Sequence, residues 1–259
     1  MKRVTSRASL LSLALAFFVV PPVSAQKAAQ KIDEEYTKLI KQHLQDPRIT
    51  TELVDHLPAS STVPTPLKHF GYIIGQPGEI AYTKDLYAYS QALAKAAPGR
   101  SKFWTIGKSE EGRDIVMLAI ADEATLKALD THKANLAALT DPRKTTEAQA
   151  QQIIKTGKPI YWLTSGMHSP ETGGPQVLME LAYRLIVQET PFIQEIRNNM
   201  ITFITPVIEP DGRDKHVDTY YYGKKTGKQR PPLMYWGKYV AHDNNRDGMG
   251  QFLNLTRAV

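Results

Sequence analysis

Residues 159–174 read Pro-Ile-Tyr-Trp-Leu-Thr-Ser-Gly-Met-His-Ser-Pro-Glu-Thr-Gly-Gly. The stretch starts with an apolar, β-branched run over residues 160–164, which predicts a short buried β-strand. Ser165 and Gly166 end that strand, and an apolar helical period begins soon afterwards, at Val177. The stretch therefore predicts a strand, a short loop and a helix. The loop carries two side chains that can do chemistry, His168 and Glu171.

His168 and Glu171 have a spacing that suits a metal ion. Imidazole nitrogen and carboxylate oxygen are both good ligands for Zn²⁺, and a short loop can direct both at one ion. Catalytic zinc usually takes three protein ligands and keeps a fourth position open for water. On spacing alone a second interpretation stays open. It is a loop histidine bonded to the backbone and a glutamate whose negative charge suits the start of a helix.

Three further motifs accompany this loop. Residues 106–113 read Ile-Gly-Lys-Ser-Glu-Glu-Gly-Arg, residues 206–212 read Pro-Val-Ile-Glu-Pro-Asp-Gly, and residues 243–246 read Asp-Asn-Asn-Arg. Together with Ser-Gly-Met-His-Ser-Pro-Glu at 165–171, they resemble the motifs of the zinc carboxypeptidases, in the same order. The resemblance runs from about residue 82 to the last residue. Two positions depart from it: Glu209 stands where the family's turn has Asn, and Pro170 stands where some relatives have Arg.

The resemblance implies a set of site residues. His168 and Glu171 would be two of the zinc ligands, and Asn245 and Arg246 would hold the free C-terminal carboxylate of a peptide. An Arg guanidinium suits that role because it binds a carboxylate through two parallel hydrogen bonds. Arg230, the nearest arginine before this clamp, is the candidate to stabilise the oxyanion.

The resemblance also implies residues beyond these motifs. The third zinc ligand, a His, and the general base, a Glu, would both follow the Asn-Arg pair, and residues 252–259 contain neither. We therefore expect this chain to be the front part of a larger enzyme and to be inactive alone. The implied fold is α/β, with three α/β/α layers and a mixed, mostly parallel sheet that is incomplete at the C-terminus. Its site would lie at the carboxyl edge of the strands.

The first residues have the features of a secretory signal peptide. Lys2, Arg3 and Arg7 precede an apolar run over residues 10–20, which is too short to span a bilayer, and small residues allow cleavage after Ala25. This predicts a secreted or periplasmic protein with no stable membrane anchor after cleavage.

The rest of the chain divides into two parts. We expect residues 26–66 to be an N-terminal extension and linker, and residues 67–259 to be the N-terminal part of a catalytic domain. Residues 123–157 have the apolar spacing of a peripheral pair of inserted helices. Residues 218–239 are rich in Tyr, Gly and Lys, and they predict a long loop.

Charge and cysteine content exclude other classes. Removal of residues 1–25 takes away three basic residues and no acidic ones, so the formal charge falls from +6 to +3. That small excess gives no indication of nucleic-acid binding. The chain contains no cysteine, which excludes thiol catalysis and cysteine-bound metals.

These observations favour an exported, zinc-dependent metallocarboxypeptidase that acts on peptide or protein substrates near a free C-terminus. Two alternatives remain open from the sequence. One is a non-catalytic pseudo-peptidase that binds peptides through the clamp. The other is a zinc amidase or deacylase that acts on small amides or cell-wall peptides.

Overall fold

A computed structural model describes residues 30–259, so the signal peptide predicted at residues 1–25 lies outside the described residues. Within that range the sheet contains β1 (Ser101–Lys108), β2 (Asp114–Ile120), β3 (Ile160–Thr164) and β4 (Ile201–Thr205), in the spatial order β1-β2-β4-β3. The pairs β1–β2 and β2–β4 are antiparallel, and β3–β4 is parallel. The sheet is mixed, as predicted. It is not mostly parallel, however. Two of its three described pairings are antiparallel, because β2 runs in the opposite direction to both of its neighbours, β1 and β4.

Helices lie on both sides of this sheet. In the described range they are α1 (Glu34–His43), α2 (Pro66–Phe70), α3 (Thr83–Ala96), α4 (Glu123–Lys127), α5 (Leu129–Leu139), α6 (Glu147–Thr156), α7 (Gly173–Val187), α8 (Pro191–Asn199), α9 (Pro210–Thr226) and α10 (Asn254–Ala258). None of them is long and apolar enough to cross a membrane.

The middle strand β2 shows how the layers are built. Successive side chains of a strand point to opposite faces. Leu118 and Ile120 accordingly pack into the cluster that contains α3 and α7, whereas Met117 and Ala119 pack on the other face with α4. Both faces of the sheet are therefore covered at β2, which gives the predicted α/β class. The strand predicted to be buried at residues 160–164 is instead β3 at the edge of the described sheet, and its Tyr161 and Trp162 side chains are 58% and 38% exposed.

The segment before residue 66 belongs to the same core. Tyr36, Leu57 and Val63 are buried in the cluster that contains α3 and α7. The Tyr36 hydroxyl donates to Glu180 at 2.7 Å and accepts from the backbone N–H of Ile74 at 3.1 Å. The domain boundary at residue 66 stays a prediction. The segment is packed rather than a free connector, because these three side chains are buried against the helical layer.

Two other expectations are corrected by the structure. Residues 123–157, expected to be an inserted pair of helices, hold three helices, α4, α5 and α6. The loop expected at residues 218–239 begins as helix, because α9 continues to Thr226. The Tyr82 hydroxyl donates to Asp218 at 2.9 Å, and the Tyr221 hydroxyl donates to the Ile80 carbonyl at 3.0 Å. These contacts stabilise a helix that has no clear apolar period of its own.

Candidate functional site

The carboxyl ends of the parallel strands β3 and β4 form the base of the site. Thr164 lies opposite Thr205, and the pairing continues beyond the strands through two backbone hydrogen bonds. Ser165 N–H donates to the Thr205 carbonyl at 3.2 Å, and Ile208 N–H donates to the Ser165 carbonyl at 2.9 Å. Gly166 then turns the chain with a φ of +63°, a conformation that favours glycine. The two loops that leave this edge therefore run side by side.

The first loop brings His168 and Glu171 together. His168 Nδ1 lies 2.8 Å from Glu171 Oε1. The other ring nitrogen, Nε2, lies 3.3 Å from Oδ1 of Asp243, which is 75 residues further along the chain. The pKa of His168 is raised above its ordinary value, first by the hydrogen bond to Glu171, with a smaller contribution from Asp243. The imidazole thus lies between two carboxylates, one on each nitrogen.

A cavity of about 300 Å³ opens beside His168. Its polar lining includes Glu209, Asp243 and Asn244, and its apolar wall includes Met234 and Trp236. Glu171 does not line this cavity.

The segment predicted as the carboxylate clamp lies next to the His168 loop. Asn244 is buried, and its side-chain amide donates to the Met167 carbonyl at 2.5 Å. Asn245 N–H donates to Asp243 Oδ1 at 2.9 Å, and Arg246 Nη1 donates to the neighbouring Asn245 carbonyl at 2.9 Å. Asn245 and Arg246 are both exposed. The structure therefore joins this segment to the loop through Asp243 and Asn244 and leaves the two predicted clamp residues accessible.

Arg230 lies apart from this arrangement. Its guanidinium lies over the ring of Tyr220 on α9, 4.5 Å from the ring centroid. Arg230 is exposed and does not line the cavity beside His168.

The chain is similar to known zinc carboxypeptidases. The sequence model of the zinc carboxypeptidase family matches residues 86–247, which is more than half of the chain. The chain belongs to the zinc carboxypeptidase family.

Individual members of the zinc carboxypeptidase family have low sequence identity to this chain. Zinc carboxypeptidase A 1 of Drosophila melanogaster is 24% identical over 163 residues, which are 63% of this chain and 30% of the fly protein. Carboxypeptidase A from Helicoverpa armigera is 26% identical, with a TM-score of 0.36 over 52% of this chain and 26% of that one. A metallo-carboxypeptidase from Burkholderia cenocepacia is 16% identical, with a TM-score of 0.44 over 68% of this chain and 36% of that one. The chain thus spans about a third or less of the length of these relatives.

The donor set of the His168 loop fits two ligands of a zinc ion. A ring nitrogen and a carboxylate oxygen already lie within 2.8 Å of each other on partly exposed side chains. Zinc-bound histidines typically donate the second ring N–H to a carboxylate, and Asp243 is placed for that bond. Among residues 30–259, no group of three or more His, Asp or Glu side chains is arranged to hold one ion. The described part of the chain therefore offers a pair of candidate ligands and a carboxylate beside the histidine.

Glu209 is a buried acid in the second loop. It is 1% exposed, its Oε2 accepts from the Ser169 hydroxyl at 2.6 Å, and its Oε1 accepts from the backbone N–H of Gly212 at 2.5 Å. Burial raises the pKa of Glu209 from its ordinary value of 4.5 to about 8, which outweighs the lowering effect of the two hydrogen bonds. At neutral pH Glu209 is therefore mostly protonated.

Asp211, two residues further on, is buried with a different set of partners. It accepts from the Ser109 hydroxyl at 2.7 Å, from the Glu111 backbone N–H at 2.9 Å and from the Arg113 guanidinium at 2.9 Å. Arg113, the last residue of the 106–113 motif, neutralises this fully buried carboxylate. This network fixes the β1–β2 turn to the start of α9.

Two residues of the site cannot be identified from the local sequence pattern. Asp243 is the first residue of the Asp-Asn-Asn-Arg motif, and no local pattern shows that it meets His168. Glu209 stands where the family's turn has Asn, and that substitution is the one signal in the sequence that points to it. Both contacts join segments that lie 40 or more residues apart.

Proposed function

We propose that this chain forms part of an exported, zinc-dependent metallocarboxypeptidase that hydrolyses peptide bonds near a free C-terminus. The observation that carries this proposal is the meeting of His168 and Glu171 beside the segment of residues 243–246, in a chain of the zinc carboxypeptidase family. Export rests on the signal-peptide features of residues 1–25.

His168 and Glu171 would hold the zinc ion, and a bound zinc ion polarises a carbonyl and lowers the pKa of its water. His168 would bind the ion through one ring nitrogen. The other, Nε2, would donate to Asp243, which would fix the tautomer and the ring orientation.

Asn245 and Arg246 would bind the substrate's terminal carboxylate. Arg246 is exposed, and its only described side-chain hydrogen bond goes to the adjacent Asn245 carbonyl. Its guanidinium is therefore available for a charged partner. Arg230, which now stacks on Tyr220, would have to leave that ring to stabilise an oxyanion.

We also propose that residues 26–259 alone bind zinc weakly and have little or no peptidase activity. Affinity for zinc depends on the number of ligands and on a preformed geometry, and the described residues bring two ligands together. The resemblance implies a general-base Glu that follows the Asn-Arg pair, and the loss of a general base costs roughly 10²–10⁴-fold in rate.

Metal binding tests the ligand assignment. Residues 26–259 and the variants His168→Ala and Glu171→Gln are titrated with Zn²⁺ by calorimetry. The matched control is His56→Ala, because His56 also lies against a neighbouring carboxylate, that of Asp55, away from the site. We expect both site variants to weaken binding at least about 10-fold, in line with losses at metal sites, and the control to leave it unchanged. Equal losses in His56→Ala and His168→Ala would reject the assignment.

Peptide binding tests the clamp. A fluorescent peptide is offered with a free or an amidated C-terminus, and its anisotropy is measured with wild type, Arg246→Ala and the control Arg143→Ala, an exposed arginine on the helical insertion. We expect Arg246→Ala to abolish a preference for the free carboxylate of about 10-fold, which is the scale of a charge-assisted hydrogen bond. Equal affinity of wild type for the free and the amidated peptide would reject the clamp. Tight binding with no zinc bound would favour the pseudo-peptidase.

A further inference from the structure

We propose that Glu209 is a positioning residue that holds the His168–Glu171 loop in place through Ser169. The inference rests on the proposed function for its metal readout, but the mechanical link from Glu209 to the loop is independent of that function. The resemblance implies no such link, because the corresponding residue of the family's turn is Asn.

The two oxygens of Glu209 have two different partners. Oε2 bonds to the Ser169 hydroxyl at 2.6 Å, and Oε1 bonds to the N–H of Gly212 in the first turn of α9 at 2.5 Å. Glu209 is 1% exposed and Ser169 is 7% exposed. One buried carboxyl group therefore connects the helix start to the loop.

Backbone packing around this connection is close. The N–H of Glu209 donates to the Gly166 carbonyl at 3.0 Å, at the beginning of the loop. A Cβ on Gly212 would collide with Ser169 Oγ and with Glu209 Oε2. Glycine at position 212 thus allows the first turn of α9 to approach Ser169.

Ser169 is well placed to transmit this restraint. It follows His168 directly, and within the loop the N–H of Glu171 donates to the His168 carbonyl at 3.1 Å. The side chains of His168 and Glu171 are 37% and 63% exposed, so little packing fixes them. Their relative position depends on the loop backbone, which Ser169 ties to the protein interior.

Three substitutions separate the possible roles of Glu209. Glu209→Gln keeps both bonds, because an amide can accept from Gly212 and donate to Ser169. Glu209→Asn keeps a good helix cap but is one methylene shorter, so it loses Ser169. Ser169→Ala removes the hydrogen bond between Ser169 and Glu209 and leaves the bond between Glu209 and the Gly212 N–H intact.

Ser109→Ala is the matched control. It removes another buried serine–carboxylate bond at the start of the same helix, 2.7 Å long, which leads to the β1–β2 turn instead of the loop. A general loss of packing around α9 would affect both serine variants alike.

Two measurements on residues 26–259 test the proposal: Zn²⁺ affinity by calorimetry and hydrogen exchange by mass spectrometry. We expect Ser169→Ala and Glu209→Asn to weaken Zn²⁺ binding about 10-fold, as for other outer residues of metal sites, and to speed exchange over residues 166–172. Glu209→Gln should restore wild-type behaviour in both measurements. Ser109→Ala should speed exchange over residues 108–113 and leave Zn²⁺ affinity unchanged.

Two results would overturn the proposal. One is unchanged exchange over residues 166–172 in Ser169→Ala. The other is a loss of Zn²⁺ affinity in Ser109→Ala as large as that in Ser169→Ala. If wild type binds no Zn²⁺, the proposed function fails at that point. The exchange data then decide alone whether Glu209 holds the loop.

Discussion

Two hydrogen bonds between a serine and an acidic side chain flank the start of α9. They differ in whether a cationic side chain pairs with the acid. Ser109 donates to Asp211 at 2.7 Å, and Ser169 donates to Glu209 at 2.6 Å. Both acids are buried to 1% exposure or less. Asp211 has the guanidinium of Arg113 at 2.9 Å. Within residues 30–259, no cation hydrogen-bonds to Glu209.

The comparison shows two ways in which a protein can bury an acidic side chain. An ionised group in the interior is very unfavourable unless it is paired, and an unpaired acid instead takes up a proton. Asp211 is paired and joins two elements of the framework. Glu209 is unpaired, and burial raises its pKa to about 8. The acid without a cation is the one that touches the His168–Glu171 loop.

The largest expected effect concerns the pH dependence of stability. An unfolded chain ionises Glu209 near pH 4.5, whereas the folded chain keeps the proton to about pH 8. The stabilisation from the proton is therefore present below about pH 4.5, is lost as the pH rises, and is gone above about pH 8. Between pH 5 and 8 wild type should lose about 4 kcal/mol relative to Glu209→Gln, at ~1.4 kcal/mol per pH unit. Urea unfolding at four pH values measures the free energy of unfolding of both proteins. If wild type and Glu209→Gln show the same pH dependence, Glu209 does not differ from Asp211 in its protonation.

Arg113→Ala should be the most damaging change on the other side of the comparison. It leaves Asp211 buried without its cation and removes contacts to Glu111 and Asp214. We expect a loss of about 2–4 kcal/mol in the free energy of unfolding, below the full value for a buried pair because Arg113 is 38% exposed. Lys108→Ala, which breaks an exposed ion pair on the same hairpin, is the control. A similar small loss in both variants would show that Asp211 does not depend on Arg113.

The two serines should differ by less. Ser109→Ala removes a hydrogen bond to an ionised acceptor, which is worth about 1.5–3 kcal/mol. Ser169→Ala removes a bond to a mostly neutral acid at pH 7, which is worth about 0.5–1.5 kcal/mol. Denaturant unfolding of both variants at pH 7 compares them directly. The reverse order would contradict the protonation of Glu209.

Arg246→Ala provides the smallest expected effect on stability. Its side chain is exposed and bonds to a neighbouring carbonyl, so the free energy of unfolding should change by less than about 0.5 kcal/mol. Thermal unfolding tests this with the same protein used for peptide binding. A loss comparable to that in Ser109→Ala would mean that Arg246 belongs to the framework instead of the accessible surface.

The sequence by itself determined the local parts of this site. The apolar run before Ser165, the glycine at 166 and the helical period after residue 175 define the strand, loop and helix around His168 and Glu171, as the structure shows. These features depend on neighbours within a few residues, and a periodic pattern records such neighbours directly. The order of four motifs also indicated the family that the comparison identifies.

Only the tertiary structure decided which distant groups meet. Asp243 reaches His168 across 75 residues and Arg113 reaches Asp211 across 98, and neither contact leaves a local pattern in the sequence. The helical state of residues 218–226 likewise depends on tyrosine contacts with residues 80–82. The protonation of Glu209 follows the same rule, because its pKa is set by burial and by the absence of a cation in hydrogen-bond contact among the described residues. Both are properties of the folded surroundings and not of the residue itself.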